Sequence, residues 1–150
     1  MTDFNTLHKQ AEMVFYQPIE DIWSVLVDMH SYWKWNPILK DVYLSNGLLY
    51  HAPIEAKYSV FNGVLSKKGI ILNVDENKEL RFCFHRYHLK IVCETWRISL
   101  IPLSDFETQV SLTIGYSGWF SASAWQNDEV AIDVACDVFI HALKQMLEGS

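Results

Sequence analysis

Positive charge, cysteine and long apolar runs are all scarce in this sequence, and each shortage excludes a class of protein. The 12 basic residues are outnumbered by 18 acidic ones, which leaves a net charge of −6. Nucleic acids and anionic membrane surfaces attract basic patches, so neither is expected as the main partner. The single adjacent basic pair, Lys67-Lys68, is expected to lie on a solvated face of a strand.

The cysteines are too few and too scattered to form a framework. There are three of them, with neither CxxC nor CxxH spacing, which indicates reduced thiols in a cytoplasmic protein. The six histidines show no metal-binding spacing, and no signature of a phosphate-binding loop, zinc protease or serine hydrolase is present. We therefore expect no metal and no cofactor.

Apolar residues are never continuous for long. No run reaches the roughly 18 residues that would cross a membrane, and the longest candidate, near the C-terminus, is interrupted by Asp133 and Asp137. The first ten residues lack the apolar segment of a signal peptide. We expect a protein that does not insert into membranes.

Large apolar side chains, by contrast, are plentiful. The 150 residues suggest a single domain, in which about 70% of the unfolded surface can be buried without a metal or disulfide. Hydrophobic residues make up 50% of the chain and aromatic residues 14%. An interior so rich in aromatic rings either forms a core of large residues or leaves room for a ligand, and composition does not decide between them.

The periodicity of the chain predicts one strand, two short helices, a run of strands and a long helix. Residues 11–16 alternate as a strand, and Pro18 opens an amphipathic helix that ends near residue 30. The segment SYWKWNP is expected to form a second helical turn, with Trp35 as the buried residue and Trp33 more exposed. About six strands follow between residues 38 and 116. A capping box at Ser123 then begins a helix over 124–147.

Two segments carry a resemblance to a known family. Residues 14–42, VFYQPIEDIWSVLVDMHSYWKWNPILKDV, and residues 96–114, WRISLIPLSDFETQVSLTI, resemble the opening and closing patterns of the START-like or SRPBCC superfamily. The resemblance covers about residues 9–147. It implies an α+β helix-grip fold: a curved antiparallel sheet of about seven strands wrapped around a long C-terminal helix, with two short helices after the first strand.

The same resemblance implies a cavity between the sheet and the long helix that takes apolar ligands. Side chains on the inward parity of the strands, and on the helix, are the candidates for lining it. Trp119 and Trp125 flank the loop into the helix and could close one end. The candidate ligand-binding residues are Tyr58, Phe82, Phe84, Glu94, Trp96, Tyr116, Trp119 and Phe139.

Polar residues at inward positions are the candidates for chemistry. Glu94 lies between Val92 and Trp96, and Arg86 and His88 continue the parity of the phenylalanines before them. A hairpin turning at about 87–89 would set Phe82 opposite Glu94. Glu94 could bind a ligand hydroxyl or act as a general base, or it could pair with Arg86, or the sheet end could be open to water. The same register would set Cys83 opposite Cys93 on the outer face, where reduced thiols are expected although a disulfide could form.

Three functions fit these features. The leading one is the binding of a small hydrophobic or amphipathic ligand such as a lipid, polyketide or aromatic metabolite. An alternative is an enzyme similar to polyketide cyclases and dehydratases, in which Glu94 transfers protons with Arg86 or His88. In that case Glu94→Gln would abolish turnover and leave the melting temperature nearly unchanged. A third is a cochaperone-like protein-interaction module that uses the sheet surface. The chain could also form a homodimer.

Overall fold

A seven-stranded antiparallel sheet is the main element of the computed structural model, which describes residues 7–60, 63–86 and 92–149. The strands are β1 (His8–Phe15), β2 (Leu39–Tyr43), β3 (Pro53–Val60), β4 (Gly63–Asp75), β5 (Glu79–Arg86), β6 (Val92–Ser104) and β7 (Glu107–Ser117). Their order across the sheet is β1-β7-β6-β5-β4-β3-β2. Every neighbour along the chain from β2 to β7 is therefore also a neighbour in space, and β1 closes on β7.

Helices α1 (Ile19–Val27) and α2 (Ser121–Glu148) and a 3-10 helix over Met29–Lys34 complete the fold. The predicted α+β order of elements is confirmed. The capping box is not, since α2 begins at Ser121 and its N-cap, Phe120, makes no side-chain cap. Ser123 consequently lies inside the first turn of α2, whereas an N-cap residue has to precede the first turn.

The core lies between the concave face of the sheet and α2. The cleanest alternation in the sequence becomes β7, where Val110, Leu112 and Ile114 are buried on the inner face. Ala135 of α2 is fully buried, and its small side chain allows the helix to approach the sheet closely. The buried stripe of α2 consists of Trp125, Ile132, Ala135, Cys136, Phe139, Ile140 and Leu143.

The aromatic junction after α1 follows the geometry of its 3-10 helix. A 3-10 helix has three residues per turn, so Met29, Tyr32 and Trp35 share one face. Tyr32 is fully buried and donates a hydrogen bond of 2.6 Å to the Leu26 carbonyl oxygen. Trp35 is half-buried, with its ring 5.0 Å from that of Tyr32, and Trp33 is 60% exposed. Trp33 is the exposed tryptophan, as expected, but the fully buried residue is Tyr32 rather than Trp35.

Asn36 anchors the start of β2. Its Oδ1 accepts hydrogen bonds from the backbone N–H groups of Ile38, at 2.9 Å, and Leu39, at 3.0 Å, and the residue is 1% exposed.

Asn36→Ala is expected to lower the free energy of unfolding by about 2 kcal/mol, because two buried donors lose their acceptor. Urea denaturation measures this. Lys40→Ala, on the exposed face of β2, is the control, and a loss no larger than the control's would contradict the anchor.

Candidate functional site

The predicted interior aromatic residues meet around Trp96. The Trp96 ring stacks on Phe82, with centroids 5.7 Å apart, and contacts Tyr58 and Phe139 edge to face, at 6.0 Å and 5.6 Å. These rings join β3, β5 and β6 to α2. The predicted residues that are buried in the structure are Tyr58, Phe82, Phe84, Glu94, Trp96, Tyr116 and Phe139.

Trp119 is placed differently from the other candidates. It lies in the connection between β7 and α2 and is 94% exposed, so it lines no part of this interior. Trp125, one turn into α2, is the tryptophan that faces inward, and its ring centroid is 5.2 Å from that of Tyr116. The helical period turns Trp125 toward the sheet, whereas residue 119 precedes the helix.

The register between β5 and β6 differs from the predicted one by two residues. Phe82 lies opposite Trp96, and Phe84 lies opposite Glu94. β5 ends at Arg86 and β6 begins at Val92, and the predicted turn at 87–89 lies outside the described residues. Register is set by the turn, so a misplaced turn moves every pair in the ladder.

The corrected register also separates the cysteines of the outer face. Cys93 lies opposite His85, and Cys83 lies opposite Thr95. The His85 ring is between the two thiols, with Nδ1 3.5 Å from the Cys93 sulfur and Nε2 3.9 Å from the Cys83 sulfur. The expected facing pair is therefore wrong, and none of the three cysteines forms a disulfide.

Glu94 is the centre of a buried polar cluster. Its side chain is 0% exposed, and Oε1 lies 2.5 Å from the Lys67 ammonium nitrogen. Oε2 accepts a hydrogen bond of 2.7 Å from the Trp96 indole N–H. The carboxylate therefore has a charged partner on one oxygen and a neutral donor on the other, and such charge-assisted contacts hold it in one orientation.

Lys67 was expected to be solvated, and the structure places it inside. Its side chain is 12% exposed, whereas that of Lys68 is 79% exposed. Successive side chains of a strand point to opposite faces, so one member of the pair has to face inward. Residue parity along β4 could have identified Lys67, but the alternation of this strand is weak in the sequence.

The cluster continues across the interior to α2. The Tyr116 hydroxyl donates to Asp128 Oδ2 at 2.7 Å and lies 3.5 Å from Glu94 Oε1. Tyr58 is also close: its ring centroid is 3.9 Å from the Lys67 ammonium nitrogen. We call Tyr58, Lys67, Glu94, Tyr116 and Asp128 the polar cluster. It lies near the end of the sheet where β6 begins and β7 ends.

Arg86 and His88, the proposed partners of Glu94, lie at and beyond the end of β5. Arg86 is the last residue of β5 and its backbone pairs with Val92, but its side chain is outside the described residues. His88 is outside them entirely. In the described part of the chain Glu94 pairs with Lys67, and the alternative ion pair between Glu94 and Arg86 stays a prediction. The proton-transfer roles of Arg86 and His88 stay predictions.

Cys136 of α2 borders the polar cluster, and its buried thiol makes the stability of the protein decrease at alkaline pH. Burial raises the pKa of its thiol from 9.0 to about 12. The folded thiol keeps a proton that the unfolded chain releases above pH 9, so this stability is complete below pH 9 and is lost as pH rises toward 12. By about pH 10 the free energy of unfolding should fall by about 1.4 kcal/mol relative to neutral pH. Urea midpoints of the wild type and Cys136→Ala measure it; an equal alkaline loss in both would contradict this role.

Residues 7–60, 63–86 and 92–149 contain neither a metal site nor a helix that could cross a membrane. No group of three or more His, Cys, Asp or Glu side chains there is arranged to hold a metal ion. Neither α-helix in these ranges combines the length and apolar character needed to cross a membrane.

Comparison with known proteins identifies the fold. No protein-family model and no curated protein matches the sequence. Among solved structures, the chain is similar to the Zhui aromatase/cyclase from Streptomyces sp. R1128, with a TM-score of 0.78 at 14% identity over 94% of this chain and 93% of that chain.

Two other solved structures have the same architecture. A START superfamily protein from Mycobacterium smegmatis matches with a TM-score of 0.70 at 13% identity, over 95% of this chain and 97% of that chain. A conserved protein from Geobacillus kaustophilus matches with a TM-score of 0.70 at 14% identity, over 94% of this chain and 95% of that chain. The chain therefore has the START-like fold, a helix-grip arrangement of a curved antiparallel sheet and a long C-terminal helix.

Proposed function

We propose that this domain binds a small hydrophobic or amphipathic molecule between the sheet and α2. The observation that carries the proposal is the polar cluster at one end of an otherwise apolar interior. Taking Glu94 and Lys67 out of water costs free energy, and well-packed apolar residues would fill the same space at least as stably. Ligand sites, in contrast, are mostly apolar with a few converging polar groups.

The aromatic rings of the interior favour a ligand with flat rings. Aromatic side chains project from the sheet and from α2, and they pack on other rings by stacking or by edge-to-face contact. The similar Streptomyces protein is an aromatase/cyclase. These features support an aromatic or polyketide-like molecule over a fully saturated lipid chain. The three cysteines form no disulfide, which supports the cytoplasmic location that belongs to the same proposal.

The described contacts favour binding over proton transfer by Glu94. A general base has to reach the proton that it removes. Both Glu94 oxygens already accept hydrogen bonds, one from Lys67 and one from Trp96. A carboxylate held in this way is suited to orient neighbouring donors, so the cyclase-like reaction is the second hypothesis.

Native mass spectrometry of the freshly purified protein tests the proposal. We expect an adduct of a few hundred daltons that disappears when the same sample is measured under denaturing conditions. Trp119→Ala is the matched control, because this side chain is exposed outside the interior and its loss should leave the adduct in place. A mass equal to that of the bare chain in several independent preparations would contradict the proposal.

A further inference from the structure

The Tyr58 hydroxyl is a buried hydrogen-bonding group with no partner among the described residues. Tyr58 is 5% exposed, and its hydroxyl oxygen makes no hydrogen bond to any residue in 7–60, 63–86 or 92–149. The ring is fixed by an edge-to-face contact with Trp96 and by the Lys67 ammonium above its face. Buried polar groups are paired in the great majority of cases, and an unpaired one lowers stability. A ligand group that completes the bond would explain why a tyrosine, rather than a phenylalanine, occupies this position.

The surroundings of this hydroxyl determine what it can do. Burial, and then the nearby Glu94 carboxylate, raise the pKa of Tyr58 far above its ordinary value, so the phenol keeps its proton and can donate it. Tyr116, Cys136 and Asp128 also lie close enough to act on it. Within the polar cluster, the positive charge belongs to Lys67, and its ammonium is already paired with Glu94.

The charge of the polar cluster discriminates between ligand classes. Glu94 and Asp128 supply two negative charges and Lys67 supplies one positive charge, so the cluster is net negative when its acids are ionised. A carboxylate or phosphate ligand would have to displace Glu94 from Lys67 or enter beside two like charges, and like charges in a desolvated site repel strongly. A neutral oxygen has no such penalty.

We propose that Tyr58 donates a hydrogen bond to a neutral oxygen of the ligand, such as a ketone, ester or quinone carbonyl, and that the site rejects ligands with an anionic head. This inference rests on the proposed function, because it assigns the chemistry of the polar end of the same ligand. The apolar remainder of the ligand then lies against the rings around Trp96.

A set of probes with the same ring system tests this assignment. Methyl naphthyl ketone, ethylnaphthalene and naphthoate present a neutral oxygen, no oxygen and a carboxylate on similar frames. Quenching of tryptophan fluorescence measures each affinity. We expect the ketone to bind at least about tenfold more tightly than the other two, which is the scale of one well-formed hydrogen bond.

Tyr58→Phe separates a ligand contact from a structural role. The variant keeps the ring contacts and removes the unpaired hydroxyl, so its melting temperature should be unchanged or higher. Its preference for the ketone over ethylnaphthalene should disappear. Tyr43→Phe, the same change at an exposed position of β2, should alter neither quantity.

The outcomes of these experiments separate failure of this inference from failure of the proposed ligand binding. Naphthoate binding as tightly as the ketone, or a ketone preference that survives in Tyr58→Phe, would overturn the inference and leave ligand binding in place. The second result would also be expected if the hydroxyl only binds a structural water. Failure of all three probes to bind would contradict both the inference and the proposed function.

Discussion

Replacing Glu94 by glutamine should lower the free energy of unfolding by about 3 kcal/mol, because it leaves the Lys67 ammonium buried without a counter-charge. The pair is separated by 2.5 Å, and the two side chains are 0% and 12% exposed. Glutamine also has to place its amide between the donors of Lys67 and Trp96, and it can offer only one carbonyl oxygen to them. Urea denaturation at neutral pH and low salt measures the loss.

A double-mutant cycle assigns that loss to the pair. Lys67→Met removes the buried charge and keeps an apolar stem of similar length. In the Glu94→Gln background it should therefore recover much of the lost stability. Glu55→Gln is the matched control, since Glu55 meets Lys68 at 3.8 Å on an exposed surface and its loss should stay below about 0.5 kcal/mol. Strictly additive effects of the two interior substitutions would show that Glu94 and Lys67 do not depend on each other.

The ion pair between Glu94 and Lys67 also changes how an enzymatic role of Glu94 has to be tested. The proton-transfer hypothesis predicted that Glu94→Gln would abolish turnover at a nearly unchanged melting temperature. The ion pair makes that separation unattainable with a single substitution. The Glu94→Gln, Lys67→Met double variant is the better test, because it removes the carboxylate without leaving a buried charge.

Replacing Gly69 by alanine should cost on the order of 3 kcal/mol, the upper end of the cost of overpacking a well-filled interior. A Cβ atom at this position would lie 1.7 Å from the backbone oxygen of Cys83 and 2.8 Å from the Cα of Phe84. Both atoms belong to the backbone of β5, so no side chain can rotate away. The β4–β5 ladder has to separate or bend, and it carries Phe82, which stacks on Trp96.

Gly47→Ala provides the comparison for this prediction. Gly47 has a φ of 78°, in the region that disfavours side chains, but a Cβ there would meet nothing within 4 Å. Its loss should be about 1 kcal/mol, from backbone strain alone. Thermal denaturation of both variants measures the difference. A Gly69→Ala variant no less stable than Gly47→Ala would show that β4 and β5 do not approach as closely as described.

Elements that depend on local pattern were predictable from the sequence. The alternation of β7 and the apolar spacing after Pro18 each extend over several residues and reflect one face of one element. The start of α2 was placed late, because Ser123 and Gln126 match a capping box but the structure begins the helix at Ser121. Boundaries depend on a few backbone groups, whereas the type of a long element depends on all of its residues.

The polar cluster could be predicted only in part. Glu94 was identified because a carboxylate between apolar inward residues breaks a clear pattern. Its partner Lys67 was not, since the two residues lie 27 apart and meet only through the pairing of β4, β5 and β6. The unpaired Tyr58 hydroxyl is likewise a property of three-dimensional packing, and no single-strand pattern distinguishes it from the neighbouring core aromatics.

The crystal structure of the complex with methyl naphthyl ketone is the most direct test of this account. We expect the naphthyl rings between the sheet and α2, and the ketone oxygen within hydrogen-bond distance of the Tyr58 hydroxyl, about 2.8 Å. The Glu94–Lys67 pair should remain intact beside it. A probe bound on the outer face of the sheet, or an interior that stays closed around an untouched Tyr58 hydroxyl at saturating probe, would contradict the central claim.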